Sequence, residues 1–224
     1  MGGIGKPTRL PMTKAEVSRR QLGVALTLYL DDLDPVSVHV LASGGREIAG
    51  ELAKARSKDA FQLIAGFGER PGEWKSAVNR FWNPFKHATT SSGRPRDDDE
   101  LLAGFQDSQN DGLMAIAWYD LGVAGYPLPP AAQVQAAWFL YRGAVGDEFE
   151  RATERLGWPT RSEANSMLHG HRHSEQKQIL RDTIANIQTY GWIADDPRTD
   201  LLPLILPEFI EYPATRPLSH QVNA

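Results

Sequence analysis

The stretch Leu30–Ala42 reads LDDLDPVSVHVLA, and its interpretation decides the fold. Asp34 followed by Pro35 is a helix start: the aspartate caps free backbone N–H groups, and proline suits the first helical position. The residues just before it, Asp31–Asp32–Leu33, therefore end an earlier helix. That helix opens at Thr13–Lys14–Ala15–Glu16, a capping-box pattern. Val17, Leu22, Ala25, Leu26, Tyr29 and Leu30 follow at helical spacing. So short a connection predicts helices over about 13–32 and 35–56 packed antiparallel. Val40, Leu41, Ile48 and Leu52 are expected to face inward on the second. Gly44–Gly45 in its middle costs about 1–2 kcal/mol in helix propensity, which a close helix crossing would explain.

Further along, a short helical piece is expected at Asp59–Phe67, between Gly and Pro breakers. A third major helix should begin near Glu73 and carry Trp74, Val78, Phe81 and Trp82, with Pro84 forcing a kink or restart near Asn83. The polar run TTSSGRPRDDD (Thr89–Asp99) reads as a loop. Helix is expected again from about Asp99 through Leu102, Phe105, Leu113, Ile116, Ala117 and Leu121, stopping at Gly122–Pro130. Ala131–Leu156 reads as a long helix with Val134, Trp138, Tyr141, Val145 and Phe149 on one stripe. Ser162–Leu168 and Glu175–Tyr190 are further expected helices. Pro197–Pro217 is apolar but carries five prolines, which forbids a regular helix and predicts an extended arm on the body or on a partner. No convincing strand alternation and no internal repeat occurs. The fold class is all-α.

Composition narrows the function. The 224 residues are 41% hydrophobic, with net charge −4 and a pI near 5.9. No overall basic field is present, so any nucleic-acid contact must be local. There is no cysteine, which removes disulfides, thiolate metal sites and a Cys nucleophile and fits a reducing cytoplasm. No apolar run reaches the roughly 20 residues of a membrane span. Residues 1–12 read as a flexible leader, not a signal peptide. P-loop, dinucleotide-binding, GxSxG and HExxH motifs are all missing.

The residues that could carry chemistry lie in NRFWNPFKHATT, Asn79–Thr90. Arg80 and His87 have six residues between them, so a continuous helix would set both on one face about two turns apart. A metal-free ribonuclease needs a base for the 2′-OH proton and a cation for the developing phosphorane charge. Histidine titrates in the right range, and arginine grips phosphate oxygens bidentately. The bland alternative is a helix end decorated with basic side chains that favour the dipole.

Together, Asp34–Pro35–Val36–Ser37 and VNRFWNPFKH resemble a group of small helical bacterial proteins with a segment like INRxRNxxKH, similar to divergent HEPN-type domains. The resemblance covers about Thr13–Arg142. It implies a helical bundle, a homodimer, and either RNA or protein binding or metal-independent RNase activity of toxin or defence type. Asn83 and His87 match the segment. Trp82 stands where the family pattern has an arginine, so the phosphate-holding role falls to Arg80 or Lys86 or is absent. Glu47 occupies a place where similar domains carry an acidic residue facing the pair.

Other clusters are read both ways. LHGHRHS places His169, His171 and His173 at alternating positions, a metal site if the chain is extended and otherwise a polar surface loop. His39, within VSVHVLA, is a core histidine or a residue facing His87. Asp97–Glu100 is a cation site or a solvated cap. Trp74, Phe81, Trp82 and Phe85 stack bases or pack a core. Organisation is expected as a leader to residue 12, a helical bundle over 13–156, and a helical extension with a Pro-rich arm over 157–224. No cofactor is expected.

Overall fold

The computed structural model describes residues 12–56, 71–143, 170–187 and 195–207. Helix α1 spans Lys14–Leu30, and Thr13 Oγ1 caps it by accepting the Glu16 N–H at 3.1 Å. Only half of the capping box is used. The Glu16 carboxylate turns away to accept from Arg20 Nε at 2.9 Å. After α1 the chain reverses through Asp32, whose φ of 55° is one an aspartate tolerates better than most residues. Asp34 then accepts from the Ser37 N–H at 3.0 Å and starts α2, Pro35–Arg56.

These two helices pack tightly against each other. At their crossing Ser18 Oγ donates to the Gly45 carbonyl at 2.8 Å, and a Cβ on Gly45 would lie 2.7 Å from Leu22 Cδ2. That contact is why Gly45 is tolerated mid-helix. The buried stripe of α2 differs from the expected one: Val38, His39, Ala42, Gly45, Ala49, Gly50 and Ala53 are buried, while Val40, Leu41, Ile48 and Leu52 are half-buried. Small residues face the core here because they let α2 approach its neighbours closely.

Helix α3 spans Pro71–Asn79 and α4 Trp82–Lys86. The break falls at Arg80–Phe81, slightly earlier than expected. Pro84 sits in the first turn of α4, where a missing N–H costs nothing, and its ring would clash with the Arg80 carbonyl in a continuous helix. Another departure follows. The helix expected from Asp99 to Leu121 is two pieces, α5 (Asp99–Ala103) and α6 (Gln109–Val123), separated by Gly104–Ser108. Helix α6 is the centre of the bundle, with Leu113, Met114, Ala117, Trp118 and Leu121 essentially inaccessible. It packs on α1, α2, α3 and α7 (Pro130–Gly143). Helix α8, His173–Ile187, lies against α1 and α7.

Among the described residues there is no strand, only isolated bridges at Thr89–Pro95 and Leu128–Thr199. The non-helical segment 195–207 is tied down at both ends. Leu128 exchanges backbone bonds with Arg198 and Asp200 at 2.8 and 2.9 Å. Arg19, wholly buried, donates to Asp200 Oδ2 (2.8 Å), Pro203 O (3.0 Å) and Leu204 O (2.9 Å). Arg20 donates to Leu206 O and Pro207 O. No helix among the described residues is long and apolar enough to cross a membrane. The helical expectations at Asp59–Phe67 and Ser162–Leu168, the C-terminal part of the Ala131–Leu156 helix, and residues 1–11 and 208–224 lie outside the described residues.

Candidate functional site

Four of the sequence-selected residues surround α4. Arg80 lies in the break, exposed, with its guanidinium carbon 5.3 Å from the Phe81 ring centre. Asn83 is exposed in α4. His87 is the C-cap of α4 in extended backbone (φ −129°, ψ 123°), its N–H bonded to Asn83 O at 3.0 Å and its ring exposed. Arg80 and His87 therefore do not share one continuous helix.

Glu47 is brought into this group by α2, yet it faces neither Arg80 nor His87 in any hydrogen bond among the described residues. It accepts from Trp82 Nε1 at 2.6 Å and lies 3.7 Å from Lys86 Nζ, which also sits 4.9 Å from the Trp82 ring centre. Trp82 thus makes the contact to the acidic residue itself. Phe81 and Trp82 are buried, at 1% and 8% exposure, so neither offers a face for a stacked base.

Beneath α4 lies His39, 1% exposed and ringed by Phe81, Phe85 and Phe105 at 5.3–6.2 Å. Its Nδ1 is 2.9 Å from Asn110 Oδ1. Because Asn110 Nδ2 donates to Pro35 O and Asp107 Oδ1, the amide oxygen must accept, and His39 carries its proton on Nδ1. Burial lowers the His39 pKa despite this bond and keeps the imidazole neutral. His39 is a core residue; His87 is at the surface.

Charge distinguishes the segment from the rest of the chain. From Trp74 to Arg96 the sequence holds Lys75, Arg80, Lys86, Arg94 and Arg96 and no carboxylate. Lys75, Arg80, Lys86, His87 and Arg94 are exposed, and Arg96 is occupied by Asp98 through an Nη2–Oδ1 bond of 2.9 Å. Asp98 stands at the N-cap of α5 without a side-chain cap bond.

The histidine-rich stretch leads elsewhere. His169 lies outside the described residues, and His171 is exposed, 3.5 Å from Glu175. His173 points into the bundle: Nδ1 is 3.0 Å from Asp107 Oδ2 and Nε2 is 2.9 Å from Asp111 Oδ1. With both ring nitrogens held by carboxylates, neither has a lone pair to offer a metal in this arrangement. Among the described residues no group of three or more His, Asp or Glu side chains could hold a metal ion.

Around His173 is a constellation that local sequence reasoning missed. Tyr29 OH donates to Asp111 Oδ1 at 2.6 Å. Lys177, wholly buried, binds Asp32 Oδ1 at 2.8 Å, contacts Asp107, and lies 4.5 Å from the Tyr29 ring centre. Burial disfavours the charged imidazole, but hydrogen bonds to Asp107 and Asp111 and their charges overcome it and lift the His173 pKa to about 9. Burial likewise pushes Asp107 up, yet His173, Lys177 and Asn110 together bring it down to about 2. The available signal was spacing. Asp107 and Asp111 are four apart, as are His173 and Lys177, so two helix starts of opposite charge carry matching pairs.

Comparison of the chain with protein-family models, with curated proteins and with solved structures finds no match.

Proposed function

We propose that this chain is a HEPN-like helical protein that binds RNA through its phosphates, using the surface stretch Trp74–Arg96. The observation that carries the proposal is the charge pattern: five Lys and Arg and no carboxylate in that stretch, within a chain of net charge −4. Exposure of Lys75, Arg80, Lys86 and Arg94 supports phosphate contact. Burial of Phe81 and Trp82 supports a backbone-directed mode over base stacking. A cytoplasmic homodimer belongs to the same proposal. The test is fluorescence anisotropy with labelled single-stranded RNA at about 50 mM salt, comparing wild type with a Lys75→Ala, Arg80→Ala, Lys86→Ala, Arg94→Ala variant. At least a tenfold loss of affinity is expected, in line with losing several phosphate contacts. Unchanged affinity in a folded variant defeats the proposal.

A second reading is favoured by one observation. Arg80 and His87 are both exposed on either side of the same five-residue helix, and the His87 ring makes no hydrogen bond to the described residues. It is therefore available as a general base, with Arg80 or Lys86 on the phosphate and Asn83 beside them. This metal-independent ribonuclease, of toxin or defence type, would cleave RNA in the presence of EDTA. His87→Ala would lower the rate at least ~10²-fold, the scale of losing a general acid or base.

A further inference from the structure

We propose that α8 is held on the bundle by a charge latch, built from His173 and Lys177 on Asp32, Asp107, Asp111 and Tyr29, and undocks as a unit when that latch is broken. The docking stripe of α8 runs through His173, Lys177, Leu180 and Ile184, spaced four, three and four apart. Its C-terminal half is apolar, and Leu180 and Ile184 are the buried apolar side chains of the described helix. The N-terminal half is ionic. Lys177 is fully buried, and His173 has both ring nitrogens on carboxylates. Two cations thus face three aspartates, of which Asp111 is buried, Asp107 partly buried and Asp32 more exposed. Removing one cation takes a charge partner from the buried end of the cluster, which costs more than losing a surface pair.

Every neighbouring element contributes to the seat. Helix α1 supplies Tyr29, and its Leu30 carbonyl accepts from Arg181. The α1–α2 connection supplies Asp32, and the break before α6 supplies Asp107. Helix α6 supplies Asp111, whose carbonyl accepts from Gln135 of α7 at 2.9 Å. Glu175, at the start of α8, pairs with His171 on the exposed side and accepts from the Arg172 N–H. A neutral imidazole can donate to one of its two carboxylates but not both, so the latch depends on the imidazolium. The two carboxylates accordingly favour the protonated ring while α8 is docked, and raise the His173 pKa to about 9. Leu180 and Ile184 join the apolar core that α1, α2 and α6 share through Leu22, Leu26, Ala42, Ala49, Leu113 and Trp118, but those three helices also pack directly on one another. They do not depend on this cluster for contact with one another.

Hydrogen exchange on the full chain at pH 7 tests the latch. In His173→Gln and in Lys177→Met, the α8 amides should lose protection by about 100-fold and stay less protected than those of α1, α2 and α6, which lose no more than the same factor because global unfolding starts from the same docked state. Unchanged α8 protection, or α8 amides as well protected as those of α1, α2 and α6 in wild type and variants alike, overturns the proposal. Wild-type protein in sub-denaturing urea decides the matter without a variant. There α8 should exchange through a separate, cheaper opening; exchange of α8 only with global unfolding overturns it.

Discussion

Replacing Gly23 with alanine should release the C-terminal segment from α1, although alanine is the better helix former. A Cβ on Gly23 would stand 1.9 Å from the Leu204 carbonyl oxygen and 2.9 Å from its carbon. Both atoms are backbone, so the segment must move by more than 1 Å. Movement on that scale breaks the Arg19 bonds to Pro203 O and Leu204 O, now 3.0 and 2.9 Å. Bonds from a charged donor contribute about 1.5–3 kcal/mol each. Setting the gain of about 1 kcal/mol in helix propensity against two such bonds leaves a net loss of about 2–5 kcal/mol. Two controls share the chemistry but not the contact. Gly44→Ala meets only the end of the Gln21 side chain at 3.3 Å, so it should be neutral or stabilise by up to about 1 kcal/mol. Gly45→Ala meets the buried Leu22 side chain at 2.7 Å and should cost about 0–2 kcal/mol net. Urea denaturation followed by circular dichroism gives the ranking, and amide exchange at Asp200, bonded to Leu128 O, reports the segment. A Gly23→Ala protein at least as stable as wild type, with Asp200 still protected, would refute the reasoning.

Stability should also vary with pH in two windows. The folded-state pKa of His173 is raised, so its contribution is complete below about 6.5 and disappears as pH rises through about 9, amounting to roughly 3 kcal/mol. Asp107 is depressed to about 2, so its contribution holds above about 4 and fades as pH falls toward 2. Thermal melts from pH 6 to 10 should show the alkaline loss in wild type and not in His173→Gln. Glu47→Gln keeps an acceptor for the Trp82 N–H but removes the carboxylate beside Lys86, so RNA affinity should rise a few-fold; a fall would mean that Glu47 acts with the bound ligand. Asp34→Ala removes the cap of α2 and should cost about 1 kcal/mol in chemical denaturation.

What could be read from the sequence was what local chemistry controls. Thr13 and Asp34–Pro35 mark the starts of α1 and α2 because caps act within one turn, and the tolerated Gly44–Gly45 pair pointed to a close crossing. The break between α5 and α6 was not legible. Gly104 alone is a weak breaker, and what holds the interruption open is tertiary: Phe105 packs against His39, and Asp107 reaches His173 and Lys177. The setting of His173 is hidden from local sequence for the same reason. Its flanking residues suggest a polar loop, while its partners Asp107 and Asp111 lie more than sixty positions away. Near Pro84 the proline signalled a discontinuity correctly, but its position followed from the clash with the Arg80 carbonyl, four residues upstream.

The salt dependence of wild-type binding to single-stranded RNA tests the phosphate-binding proposal most directly. Four exposed cations, Lys75, Arg80, Lys86 and Arg94, each engaging one phosphate, give a slope of about −3 for log K against log salt. Saturable binding with that slope between about 50 and 300 mM salt is the expected result. Absence of saturable binding at the lowest salt, or an affinity that does not change with salt, would contradict it.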